Sequence, residues 1–315
     1  MAGLPSNTLA TYQAIGNRED LSDDIFRISP TDTPFFTGVE KTKATAVTHE
    51  WQTQDLASVD TSNYVLEGDD ATTDAVTARV RLSNYCNISD KVARVTGTQQ
   101  AVETAGVPDE LANQEMLKGL ELRRDMESIL LANQAKVVGD TTTARRTAGI
   151  MAWIKTNEST SGTAPATAGT NSRTNGTQRA FTEQQLKTVI SAIWTQGGKP
   201  ETIMVGAFNK QVFSTFVGRS TPMEEAKSKK IVASVDAYES DFGTLKVVAN
   251  RFSSSRSAFV LEMDKWKVAF LNGRKMVSIP LAVTGDSRQR QVLSEYCLES
   301  CNEKASGGVF DLTTA

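Results

Sequence analysis

His49 is the only imidazole among the 315 residues, so any nucleophile and base pair of the serine or cysteine type would have to be built on it. It sits in a run that reads as a hairpin strand. No Gly-x-Ser-x-Gly elbow occurs, and neither phosphate-cradling glycine pattern is present. The thiols offer little more. Cys297 and Cys301 lie in an alternating apolar and polar stretch that reads as a strand, where four residues span roughly 13 Å, too far for a bridge. In a helix they would be neighbours, but a zinc site needs four ligands and only Cys86 and His49 remain. Asp241-Phe242-Gly243 matches a kinase tripeptide without the glycine-rich loop or catalytic His-Arg-Asp, and reads as a turn. Glu67-Gly68-Asp69-Asp70 lacks the alternate-position acids of a calcium loop. The expectation is a chain with no catalytic group, no cofactor and no metal, so not an enzyme.

Composition narrows the partners. Lys and Arg total 34 against 37 Asp and Glu, a formal charge of -3, so no overall basic field would gather nucleic acid. DNA would be held only weakly and without sequence specificity. Hydrophobic residues are 39% and charged ones 23%, a globular but lean mixture with mean hydropathy -0.31. No apolar run reaches the roughly 18 to 20 residues that span a bilayer, and the first ten residues lack a secretion signal. The expectation is a cytosolic product with no membrane partner.

The elements that would position these residues follow in order. Residues 1–40 carry six acids and two bases, with Ser29-Pro30 and Thr33-Pro34 forcing extended backbone. This reads as an arm, with Phe35-Phe36 as its anchor. Val47 to Leu56 and Val76 to Val95 read as strands joined by a polar, acidic connection. A hairpin with so few core residues is not stable alone. It would pack on another subunit or remain a solvated loop. Asp109 caps a long helix predicted over Glu110 to Val138, about 40 Å at roughly 1.5 Å per residue, with Gly139 ending it. Arg123 and Glu127 are spaced there as an ion pair. Residues 157–180 are Thr, Ser, Gly, Ala and Asn with little to bury, and predict a mobile exposed loop. Thr182 and Gln185 then form a capping box for a second helix, and alternating strands and helices continue to about residue 280. A last strand, Gln289 to Asn302, returns to something built earlier.

Arm, long hairpin, long helix, mixed domain and returning strand occur here in that order. With Thr33-Pro34-Phe35-Phe36, Glu50-Trp51, Val95-Thr96-Gly97-Thr98-Gln99-Gln100-Ala101, Leu122-Arg123-Arg124-Asp125-Met126-Glu127, Phe242-Gly243-Thr244-Leu245 and Asn250-Arg251-Phe252, the chain resembles a tailed-bacteriophage major capsid protein of the Hong Kong 97 fold. The wording of these motifs is most similar to the SU-ten-like major head protein family.

The resemblance implies an α+β fold with an N-arm (1–46), an extended E-loop β-hairpin (47–95), a peripheral domain with a long spine helix (96–144 and 281–315) and an axial domain (145–280). It implies a structural protein that assembles as hexamers and pentamers into an icosahedral head around double-stranded DNA. Assembly would take place in the host cytoplasm, with the virion capsid as final location. Implied partners are further copies of the chain, a portal, a separate scaffolding protein and decoration proteins. A minor head-decoration or tail structural protein is the competing class. Phe35, Phe36 and Trp51 would bury against neighbours, while Glu67, Asp69 and Asp70 would meet Arg123 and Arg124, or Lys229 and Lys230 in their place.

Overall fold

The computed structural model describes residues 29–71, 73–102, 104, 106–216 and 237–314. Most of the expected arm therefore lies outside the described residues, as do Lys229 and Lys230.

Thr33-Pro34 opens a short helix, α1 (Pro34–Gly38), with proline in its first turn. Strand β1 (Glu40–Ala44) follows, then the hairpin strands β2 (Thr48–Thr53) and β3 (Val80–Tyr85), and β4 (Asn87–Thr96). A short helix α2 (Gly97–Ala101) leads to the spine helix α3 (Glu110–Leu131), whose first turn is capped by Asp109 accepting from the N–H groups of Leu111 and Ala112. Then come α4 (Ile150–Trp153), β5 (Glu158–Ser159), α5 (Glu183–Thr195), β6 (Thr202–Val205) and α6 (Ala207–Ser214). The chain continues with β7 (Ala237–Ser240), β8 (Gly243–Ala249), β9 (Ser257–Leu261), β10 (Trp266–Leu271), β11 (Val277–Pro280), β12 (Ser287–Ser300) and β13 (Gly307–Phe310).

Two sheets organise the molecule. In the first, the 14-residue β12 pairs antiparallel with β10, β11 and β4, and β1 adds parallel to β10. In the second the order is β5-β13-β9-β6-β8-β7. Strands β10 and β11, which the sequence reading assigns to the axial segment 145–280, thus belong to the sheet built on β12. Strand β13, from the peripheral segment 281–315, belongs to the other sheet.

The spine buries Leu122, Met126, Leu130 and Leu131, an apolar stripe at helical spacing. They join Phe35, Phe36, Trp153, Trp266, Phe270 and Tyr296 in one core that also reaches Met204, Phe259 and Phe310 of the second sheet. A second core lies under α5, where the Thr182 and Gln185 capping box forms as expected and Leu186, Val189, Ile190 and Ile193 are buried.

Two expectations are corrected. The spine stops at Leu131 rather than Val138, because Ala132 turns extended and the following backbone pairs elsewhere: Val137 bridges to Arg146, and Lys136 N–H donates to Gly169 O at 3.1 Å. Residues 157–180 are a structured strap, not a mobile loop. Thr163 bridges to Thr174, Arg173 is buried in an ion pair with Glu158, and its guanidinium lies 3.3 Å over the Phe310 ring. Glycine is needed where the strap crosses itself: a Cβ on Gly176 would fall 2.4 Å from Gly162 N.

Candidate inter-subunit surfaces

The hairpin is anchored at its base and free beyond it. Strands β2 and β3 pair in register from Thr48↔Tyr85 to Thr53↔Val80. Asn84, fully buried, ties this base to the body: its Nδ2 donates to Thr147 Oγ1 at 2.9 Å and Leu298 O at 2.6 Å, and its Oδ1 accepts from Ala148 N–H at 2.9 Å. His49 Nε2 lies 3.0 Å from Glu299 Oε2. Burial alone would raise the Glu299 carboxyl, but His49 beside it holds it below the usual range.

Trp51 belongs to the same anchor. Its Nε1 donates to Ser300 O at 2.8 Å and its ring packs on Trp153 with centroids 5.4 Å apart. These contacts leave Trp51 half-buried, whereas Phe35 and Phe36 lie deeper. Both are buried in the chain's own core, because α1 packs on the spine. Glu127, fully buried on α3, accepts the backbone N–H of Phe35 at 2.9 Å and of Phe36 at 2.6 Å, and also Asn250 Nδ2 at 2.6 Å. Burial pushes its carboxyl up, against the pull of these donors. The expected Arg123 and Glu127 ion pair is absent among the described residues.

Beyond the base, the described residues of 54–79 form no helix or strand. Leu56, Val59, Tyr64, Val65, Leu66 and Val76 are 78% to 95% exposed. Single exposed apolar residues are ordinary, but six in one segment are more than a solvated loop usually carries. Glu67, Asp69 and Asp70 are exposed in the same segment and have no ion pair among the described residues, whereas Asp55 near the base pairs with Lys304 at 2.9 Å.

The expected basic receivers separate in space. Arg123 lies over the Phe36 ring, 5.7 Å from its centroid, and reaches Thr33 Oγ1 at 3.4 Å. Arg124 lies near Lys91, which pairs with Asp125 at 2.7 Å. Sequence reasoning missed Asn84 and Glu127. A glutamate flanked by Met126 and Leu130 inside an apolar stripe was the available signal for Glu127; nothing local distinguishes Asn84.

A hairpin, a spine helix and two sheets sharing one core, the first built on the returning strand β12, define a Hong Kong 97-type capsid subunit. Solved structures agree on the fold. The chain of Gordonia phage Cozz superposes with a TM-score of 0.65 at 10% identity, covering 99% of this chain and 98% of that one. The capsid asymmetric unit of cyanophage A-1(L) gives a TM-score of 0.64 at 14% identity, over 97% and 99%. In sequence, the chain is 26% identical over 338 residues to the major capsid protein of Escherichia phage Phieco32, covering 95% of this chain and 96% of that protein. The sequence model of the family described as SU10 major capsid protein matches residues 5–313. The chain belongs to that family. It is a major capsid protein of a tailed phage, a component of the virion shell.

Proposed function

We propose that each copy of this chain holds its neighbours in the shell chiefly through the segment 54–79, which leaves its own subunit and lies on the next. The observation that carries this is the exposure of six large apolar side chains beside unpaired acids in a segment whose base is rigidly pinned by Asn84, His49 and Trp51. Leu56, Val59 and Tyr64 supply the area to be buried. Glu67, Asp69 and Asp70 set register and encounter rate, since rim charges act more on these than on affinity.

Repetition of that contact around an axis makes the hexamers and pentamers of an icosahedral head around double-stranded DNA. The subunit's role is association, with no catalytic step. Mild net acidity suits such a wall, because a basic lining would grip the packaged phosphates. The same reading has assembly in the host cytoplasm with a scaffolding protein and a portal, and an outer surface open to decoration proteins.

Reversal of Asp69 and Asp70 to Lys in the full chain tests the reading. Assembly with the cognate scaffold, followed by sedimentation, should fall at least tenfold while the unassembled subunit keeps its circular dichroism and unfolding midpoint. Shell yields equal to the unmodified chain would sink it.

A further inference from the structure

Three cations from separate elements gather around one pair of aromatic rings. Phe36 and Phe270 meet edge to face with centroids 6.2 Å apart. Lys41 Nζ of β1 lies 5.2 Å and Arg123 Cζ of α3 lies 5.7 Å from the Phe36 centroid. Lys275 Nζ, from the turn between β10 and β11, lies 5.2 Å from the Phe270 centroid. Ring faces offer these charges partial compensation, but none of the three has an ion pair among the described residues. Their neighbours differ. Lys91 pairs with Asp125, Lys267 with Glu40, and Arg274 with Glu295.

The nearby acids do not neutralise the cluster. Glu127 is buried and accepts three N–H donors from Phe35, Phe36 and Asn250. Asp32 is exposed on a shallow groove of about 380 Å³ that it shares with Thr31, Thr33, Pro34, Thr37 and Arg123. Arg123 Nε is buried with no acceptor. Lys41 Nζ donates to Thr37 O at 2.9 Å and Val39 O at 2.6 Å, leaving one proton uncommitted. Burial, Lys275 and Arg123 together hold the Lys41 ammonium below its usual range, as expected where like charges meet without a counter-ion.

The matching anion is in the sequence itself. From residue 54 to 78 there are Asp55, Asp60, Glu67, Asp69, Asp70 and Asp74 and no Lys or Arg. We propose that Lys41, Arg123 and Lys275 form the receiving site for the acidic 60–74 segment of a second copy of this chain. The site rests on the assembly reading above and assigns its receptor: Arg123, completed by Lys41 and Lys275. Carboxylates of the incoming segment accept hydrogen bonds from the uncommitted N–H groups of Lys41, Lys275 and Arg123, and the aromatic platform holds these cations in place before contact.

Charge exchange in the full chain tests the site. Lys41→Glu with Lys275→Glu should reduce shell yield at least tenfold with an unchanged monomer, as should Asp69→Lys with Asp70→Lys. The four changes in one chain should restore shells, because every copy then carries the reversed pair. Lys275→Glu alone repeats the test at an exposed side chain that donates no hydrogen bond within the described residues, should the double variant fold poorly. Undiminished shells from the Lys variants, or no recovery in the fourfold variant, would overturn the site. Undiminished shells combined with weakened binding of duplex DNA would assign the cluster to phosphate instead and overturn it too. An unmodified chain forming no shells would defeat the assembly reading itself, and the receptor with it.

Discussion

The Glu127 carboxylate accepts the Phe36 backbone N–H at 2.6 Å across 91 residues of sequence. Through Phe35 and Asn250 the same group reaches the first turn of α1 and the segment after β8. One buried acid therefore joins the arm, the spine and the second sheet. Removing it by Glu127→Ala leaves three N–H groups without their acceptor, each costing about 1–3 kcal/mol where water cannot replace it. The unassembled subunit should lose about 3 kcal/mol or more, read by denaturant unfolding.

The same residue predicts a pH dependence of definite sign. Burial raises its folded pKa above the ordinary 4.5, so between the two values the folded chain binds the proton more tightly than the unfolded one. Its contribution is fully present below the unfolded pKa and is lost as pH rises through the folded one. Glu127→Gln cannot titrate. The stability of the unmodified chain relative to Glu127→Gln should fall as pH is raised across that window; a constant difference across the window would contradict the raised pKa.

Asp311 sits at φ 60° and gathers the strap. Its carboxylate accepts from Thr160 Oγ1 at 2.6 Å, Gly162 N–H at 2.8 Å and Gly176 N–H at 2.9 Å. Asp311→Ala removes these acceptors and puts alanine at a positive φ, for a loss of about 2–4 kcal/mol. Limited proteolysis should then cut within residues 160–178 where the unmodified subunit resists.

Asn84→Ala separates the hairpin base from the body. Hydrogen exchange should rise at residues 48–53 and 80–85 while the α3 amides keep their protection. Equal exchange in both chains would mean that Trp51 and His49 suffice to hold the base.

Much of this arrangement was legible in the sequence because it is written locally. The Asp109 cap, the Thr182 and Gln185 box and the apolar spacing of α3 and α5 depend on neighbours three or four residues apart, and these appear where expected. The returning strand was readable from alternation alone. The cover that Phe35, Phe36 and Trp51 find within the chain was not legible, because Glu127, Trp153 and Ser300 lie far along it. The strap at 157–180 failed for the same reason. Its few apolar groups are replaced by Arg173 and by Asp311, more than 130 residues away. Lys41 and Lys275 could not be paired from sequence, since only the parallel β1 and β10 ladder brings them to one place.

The central claim is that the segment 54–79 of one subunit is covered by another. Electron cryomicroscopy of assembled shells, at a resolution that traces side chains, tests it directly. The account predicts closed shells in which Leu56, Val59 and Tyr64 are buried against an adjacent copy and Asp69 and Asp70 lie within ion-pair distance of that copy's cations. Shells in which the segment stays exposed to solvent, or folds back on its own subunit, would contradict it.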